Sequence, residues 1–231
     1  MKHSLFTSRL KLTVFSQSHL SELVRLNADP EVMRYFPATL NSEESAALLQ
    51  RIIEHQRINE YSLLALHLKE SSAFVGWCGL MKVPFSAHFT PAVEIGWWLH
   101  KSFWGKGLAP EAAKAVLRFG FLDLSLSEIV SFTAELNQPS LRVMQKIGMQ
   151  CNPEDNFDHP KLPKNHPLRR HMLYRFKKTE WLEHHESSEM PRFFSSTGYS
   201  GILHNFSNNR DTARSIDPNF SVQHIQRATL T

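Results

Sequence analysis

The sequence predicts a mixed α/β domain of the α+β kind, and three observations carry that reading. First, residues 94–99 form an apolar, aromatic run suited to a buried strand, which passes through Gly105 and Gly107 and becomes helical at Pro110. Second, the strand-like runs Tyr61–Leu68 and Phe74–Val83 flank a polar turn at residues 69–72, the pattern of an antiparallel hairpin. Third, polar caps announce helices elsewhere: Asn41 with Glu44 resembles a capping box, and Asn137 with Pro139 opens another helix that Gly148 closes.

Taken in order, residues 9–15 alternate like a half-buried strand, with Leu10, Leu12 and Val14 on one face. Ser16 to Asn27 read as a cap and a short helix carrying Leu20, Leu23, Val24 and Leu26. Asp29, Pro30 and Glu31 read as a further helix start, since Asp suits an N-cap and Pro the first turn. From Asn41 to about Ile58, Leu48, Leu49, Ile52, Ile53 and Gln56 recur at helical spacing.

Residues 84–91 read as a loop leading into strand 92–99. The helix from Pro110 to about Leu122 turns Ala112, Ala113, Val116, Leu117 and Gly120 inward, small residues that let it lie close to a sheet. Residues 128–135 read as the next strand. In the capped helix after Asn137, Leu141, Met144 and Ile147 share one face. Residues 153–170 read as a loop and 171–178 as a last strand. From residue 184 no period is sustained, which predicts a domain over residues 1–183 and a poorly ordered tail over 184–231.

The strand–loop–helix junction is the most informative stretch. The amides of Gly105, Lys106, Gly107, Leu108 and Ala109 lack partners at a helix start, and the helix dipole adds roughly half a positive charge there, so an anion such as phosphate fits. Gly105 can take positive φ, Gly107 admits a ligand where a Cβ would intrude, and Lys106 adds a cation. The spacing matches neither the phosphate loop of nucleotide hydrolases nor the dinucleotide fingerprint.

The order strand, Trp104–Ala109, then Glu111, Ala112 and Ala113 in an amphipathic helix resembles motif A of the GNAT superfamily, Arg/Gln-x-x-Gly-x-Gly/Ala, with Trp104 at the Arg/Gln place. Residues 27–36 and the spaced set Asn137, Ser140, Val143, Lys146, Ile147 and Gly148 resemble the RimJ/RimL-like branch, as do residues 157–162 and 166–175. The resemblance covers most of residues 6–178 and none of the tail. It implies a GNAT fold, a mixed and mostly antiparallel sheet of seven strands with helices on both faces, splayed where acetyl-CoA enters.

The resemblance also implies roles. The amides of 105–109, with Trp104 and Lys106 beside them, hold the pyrophosphate of acetyl-CoA, while Trp98 and Leu99 sit where family members bond the pantetheine arm. Asn137 contacts cofactor or caps its helix, and Ser140 stands near the sulfur or caps. Glu94, a lone carboxylate in an apolar strand, is the candidate base, against the alternative of a strand glutamate paired with a cation. Met144 occupies the place of a tyrosine acid found in many members, so Ser140 or water protonates the thiolate, or it leaves unassisted. Tyr35, Trp97 and His100 are candidates for the acceptor side. The implied activity is acetyl-CoA-dependent acetylation of a primary amine by direct attack, the acceptor being a protein N-terminal α-amine or a small amine. The alternative is a non-catalytic acyl-CoA-binding module.

Composition narrows the classes further. The chain has 231 residues and a net charge of +4, spread without long basic blocks, so nucleic acid is a minor expectation. No apolar run reaches about 18 residues, which predicts no membrane span and a cytoplasmic location. The 13 histidines are scattered, and the two cysteines, Cys78 and Cys151, lack metal-like or redox spacing, so no metal is expected. A homodimer is left open.

Overall fold

The protein is seen in a computed structural model that describes residues 4–189, with side chains to residue 184. Its strands are β1 (Leu5–Phe6), β2 (Leu10–Val14), β3 (Leu63–Leu68), β4 (Phe74–Lys82), β5 (Val93–Leu99), β6 (Glu128–Ala134), β7 (Gln150–Cys151), β8 (Phe157–Asp158) and β9 (Arg170–Lys177). Its helices are α1 (Leu20–Ala28), α2 (Ser42–Asn59), α3 (Leu108–Arg118), α4 (Gln138–Lys146) and α5 (Lys178–Glu189). The strands form one sheet in the order β1-β2-β3-β4-β5-β6-β9-β7, with β8 also on β9. Every pairing is antiparallel except β5 with β6. The sheet has nine strands where seven were expected, and three of the nine, β1, β7 and β8, are only two residues each.

Three hydrophobic clusters pack on the sheet, one of them around Phe89, Phe132 and Phe157; the other two involve the helices. Leu10, Leu12, Leu64 and Leu66 pack with Ala112, Ala113, Val116 and Leu117 of α3 and Trp181 of α5. Leu23 and Leu26 of α1 and Leu48, Leu49 and Ile52 of α2 pack with Leu63, Ala65, Trp77, Met81 and Trp98. The small residues of α3 set its height over the sheet, for a Cβ on the nearby Gly120 would come within 2.6 Å of Ile129. Past Arg118 the helix widens into a π turn over Phe119–Asp123.

Local signals hold in several places. Asn41 and Glu44 exchange reciprocal bonds of 2.9 and 2.8 Å at the start of α2, and Gly148 takes φ +93 after α4. Two expectations are corrected. Residues 30–35 form turns rather than a helix: the Glu31 amide does donate to Asp29 Oδ1 at 2.9 Å, but Phe36 N turns back to Met33 O and Pro37 follows. The helix after the glycine loop starts at Leu108, two residues before the expected Pro110, because Gly107 serves as its N-cap at φ +74. At the other end α5 carries the chain past residue 183 to Glu189, and residues 190–231 of the expected tail lie outside the described residues.

Candidate active site

The site is built where two strands part. β5 and β6 are in register only at Glu94 and Val130; one residue on, the link is a side chain, Ser131 Oγ donating to Ile95 O at 2.9 Å. Backbone direction alternates along β5. His100 N bonds Val75 O and Ala92 O accepts from Val83 N, so even-numbered residues face β4. The odd-numbered Ile95 and Leu99 face the opening, and alternation directs the backbone of Trp97 there too.

This bears on two residues expected at the pantetheine arm. The Trp98 carbonyl points at β4, where a Cβ on Gly76 would meet it at 2.0 Å, so its backbone is turned from the cleft. Leu99 does face the opening, and its carbonyl accepts Trp104 Nε1 at 2.8 Å. Trp104, at the motif's Arg/Gln place, thus ties the loop to the end of β5. Glu94 is 1% exposed and lines the cleft beside Trp98.

The loop comes next. Gly105 and Gly107 both have positive φ, +73 and +74, and nothing lies within 4 Å of where a Gly105 Cβ would be. That open concavity, with the free amides of the first turn of α3 beside it, suits a pyrophosphate. Lys106 does not line the cleft: its ammonium lies 5.5 Å from the Phe103 ring centroid, and its carbonyl accepts Arg9 Nη1 at 2.9 Å. Arg9 in turn grips Glu111 in the first turn of α3. Partial burial raises the Glu111 carboxyl, but bonds from the Thr7 hydroxyl, the Arg9 amide and guanidinium and the Ser8 hydroxyl outweigh it and hold the pKa at about 2. Sequence reasoning missed this support because its members lie in the β1–β2 turn and on α3 with no local signal between them.

Helix α4 closes the far wall. Asn137 Oδ1 accepts Ser140 N at 3.3 Å while its Nδ2 donates to Thr133 Oγ1 at 2.8 Å, so this buried residue caps α4 and braces it against β6. Asn137, Ser140 and Met144 all line the cleft. Arg142 and Lys146 add cations to the same wall.

On the side of α1 and α2 the wall is aromatic. Phe36 stacks on Trp98 with centroids 4.0 Å apart, and Trp98 meets Trp77 edge-on at 5.3 Å. Tyr35 and Trp97 line the cleft as expected positions would, whereas His100 does not: its Nδ1 bonds Ser102 Oγ at 2.9 Å and caps the short turn 101–103. Burial pushes the Cys78 thiol far up and also raises Cys151, so neither is a poised thiolate. Among the described residues no group of three His, Cys, Asp or Glu could hold a metal, and no helix is long and apolar enough to cross a membrane.

Glu94, Gly105, Gly107, Asn137 and Ser140 thus border one cleft of about 480 Å³. Comparison with known proteins gives a consistent result. A family model described as acetyltransferase (GNAT) domain matches residues 9–150. The sequence is 28% identical over 175 residues to the N-acetyltransferase YnaD of Bacillus subtilis (strain 168), covering 76% of this chain and 97% of YnaD. A GNAT-family acetyltransferase structure from Bacillus anthracis superposes with a TM-score of 0.64 at 24% identity, over 77% of this chain and all of that one. The spermidine N-acetyltransferase of Vibrio cholerae, solved with CoA and spermine, shares the fold with a TM-score of 0.62 at 16% identity, over 76% and 99% of the two chains.

Proposed function

The chain belongs to the acetyltransferase (GNAT) domain family, and from that premise we propose that it acetylates a primary amine with acetyl-CoA by direct attack, using Glu94 as proton acceptor. The observation that carries this reading is the placement of Glu94 at the parting of β5 and β6, in one cleft with the glycine loop and the first turn of α4.

The loop amides of Gly105–Ala109 hold the pyrophosphate, and the backbone of Trp97 and Leu99 lies along the pantetheine arm. Acetyl-CoA supplies an activated acetyl group; the chain supplies position and proton management. Glu94 accepts the amine proton as the nitrogen bonds the acetyl carbon and the carbon–sulfur bond breaks. The Trp97 N–H, turned into the opening, donates toward the carbonyl oxygen as charge gathers there. Ser140, in the first turn of α4, or water returns a proton to the sulfur, since Met144 has none to give. The acceptor is a protein N-terminal α-amine or a small amine, and the working unit ends with α5, leaving the rest of the tail dispensable.

Calorimetric titration with acetyl-CoA, followed by thiol release against a panel of amines and N-terminal peptides, tests this. Binding with release for some acceptor is the expected result. Binding without release would favour a non-catalytic acyl-CoA sensor, and absence of binding would end the reading of the glycine loop.

A further inference from the structure

Arg34 stands at the mouth of the cleft, and no described residue neutralises it. The side chain is exposed, and among the described residues its guanidinium has neither a hydrogen-bond nor an ion-pair partner. It is nevertheless held in place, since its Cζ lies 4.8 Å from the Tyr35 ring centroid and 5.3 Å from that of Trp104. Two aromatic faces restrain a guanidinium without consuming its N–H donors, which remain free to bind an anion in the plane of the fork.

The neighbouring acids are already engaged. Glu31 lies 2.6 Å and Asp29 3.8 Å from Lys101 Nζ, so the carboxylates that precede Arg34 on its own segment belong to another cation. That same segment brings Phe36 onto Trp98, whose side of β5 also carries Glu94. A ligand reaching Glu94 along this aromatic wall therefore passes a preset cation. A polyamine offers only donors and positive charge to such a mouth, whereas an amine bearing a carboxylate offers the complement.

Resting on the acetyl-transfer reading above, we infer that the acceptor amine carries a carboxylate, bound by Arg34 while the amine reaches Glu94. The carboxylate belongs either to an amino-acid-like small molecule or to an acidic residue of a peptide whose N-terminus is the amine. Arg34 is a specificity residue on this account, and it touches the cofactor loop only through the Trp104 ring.

The test uses the full chain, with matched acceptors that do or do not carry the carboxylate: an amino acid against its decarboxylated amine, and a peptide with an N-terminal acidic residue against its amide. Thiol-release rates for the wild type and for R34A and R34K are measured, together with calorimetric binding of each acceptor to the CoA-loaded protein. The wild type is expected to favour the carboxylate-bearing member of one pair by roughly tenfold or more, with the favoured pair identifying the source. R34A should abolish that preference through the acceptor KM while leaving the acetyl-CoA KM within about twofold, and R34K, lacking the fork, should fall between. Turnover with no carboxylate preference, or an R34A effect confined to the acetyl-CoA KM, overturns the inference and leaves the transfer reading intact. Carboxylate-dependent and Arg34-dependent binding without thiol release supports the site while overturning transfer.

Discussion

Arg9 and Glu111 stand 102 residues apart in the chain, yet the guanidinium of one meets the carboxylate of the other through Nε at 2.7 Å and Nη2 at 2.6 Å. Because Arg9 Nη1 also holds the Lys106 carbonyl, the pair fixes the glycine loop to the edge of the sheet. An exposed ion pair alone contributes about 0–1 kcal/mol. Here the carboxylate is only 16% exposed and also accepts Thr7 Oγ1, Ser8 Oγ and the Arg9 amide. E111Q should therefore lower stability by about 1–3 kcal/mol in denaturant melts. It should also raise the acetyl-CoA KM with little change in kcat, because the loop loses its anchor while the chemistry keeps its groups.

The same carboxylate sets a pH signature. Its folded pKa of about 2 lies below the ordinary value of 4.5, so its contribution is complete above about pH 4.5 and is lost as pH falls toward 2. The stability gap between wild type and E111Q should accordingly narrow across that window, and parallel melts at pH 7, 4 and 2 check it.

Gly107 should tolerate no side chain without loss of binding. At φ +74 an alanine costs about 1 kcal/mol of backbone strain, and its methyl would lie 3.6 Å from Nη2 of Arg9, the residue that anchors the loop. G107A is expected to stay folded and to bind acetyl-CoA at least about tenfold more weakly by calorimetry, a drop of about 1.4 kcal/mol. An unchanged affinity would place the pyrophosphate elsewhere.

These anchors show where the sequence was readable. The Asn41–Glu44 box, the stripe of α3 and the Gly148 stop are set by residues a few positions apart, so their chemistry is written locally. The turn at 30–35 carried a genuine helix-start signal, which lost because Val32 and Met33 are pulled into the core under α1 and α2 and Leu40 N returns to Asn27 O. Whether the backbone of Trp97 or Trp98 faces the cleft depends on which strand pairs on which side of β5, and no single-strand pattern contains that. Arg34 between Tyr35 and Trp104 likewise joins two loops that only the sheet brings together.

A second acid dependence comes from His55. Burial, outweighing the bond from its Nδ1 to the Tyr61 carbonyl, lowers its pKa from 6.5 to about 4, so the folded protein keeps the ring neutral. Between those values the unfolded chain binds a proton that the folded one does not, and stability falls as pH drops, by at most about 1.4 kcal/mol per pH unit. Melts from pH 7 to 4 should show this slope, and H55N, whose amide nitrogen replaces the Nδ1 donor without titrating, should reduce it by the His55 share, leaving that of the buried His159, whose pKa burial lowers to about 3.

Glu94 is either the general base or a structural carboxylate, and one substitution separates the two. Its position at the single register pair between β5 and β6 puts it beside the opening that the backbone of Trp97 faces, and a general base there contributes about 10²- to 10⁴-fold to rate. E94Q preserves shape and removes proton uptake, so kcat should drop within that range while calorimetric affinity for acetyl-CoA stays near wild type. If E94Q turns over at the wild-type rate at neutral pH, Glu94 is a structural carboxylate and the proton leaves by water alone.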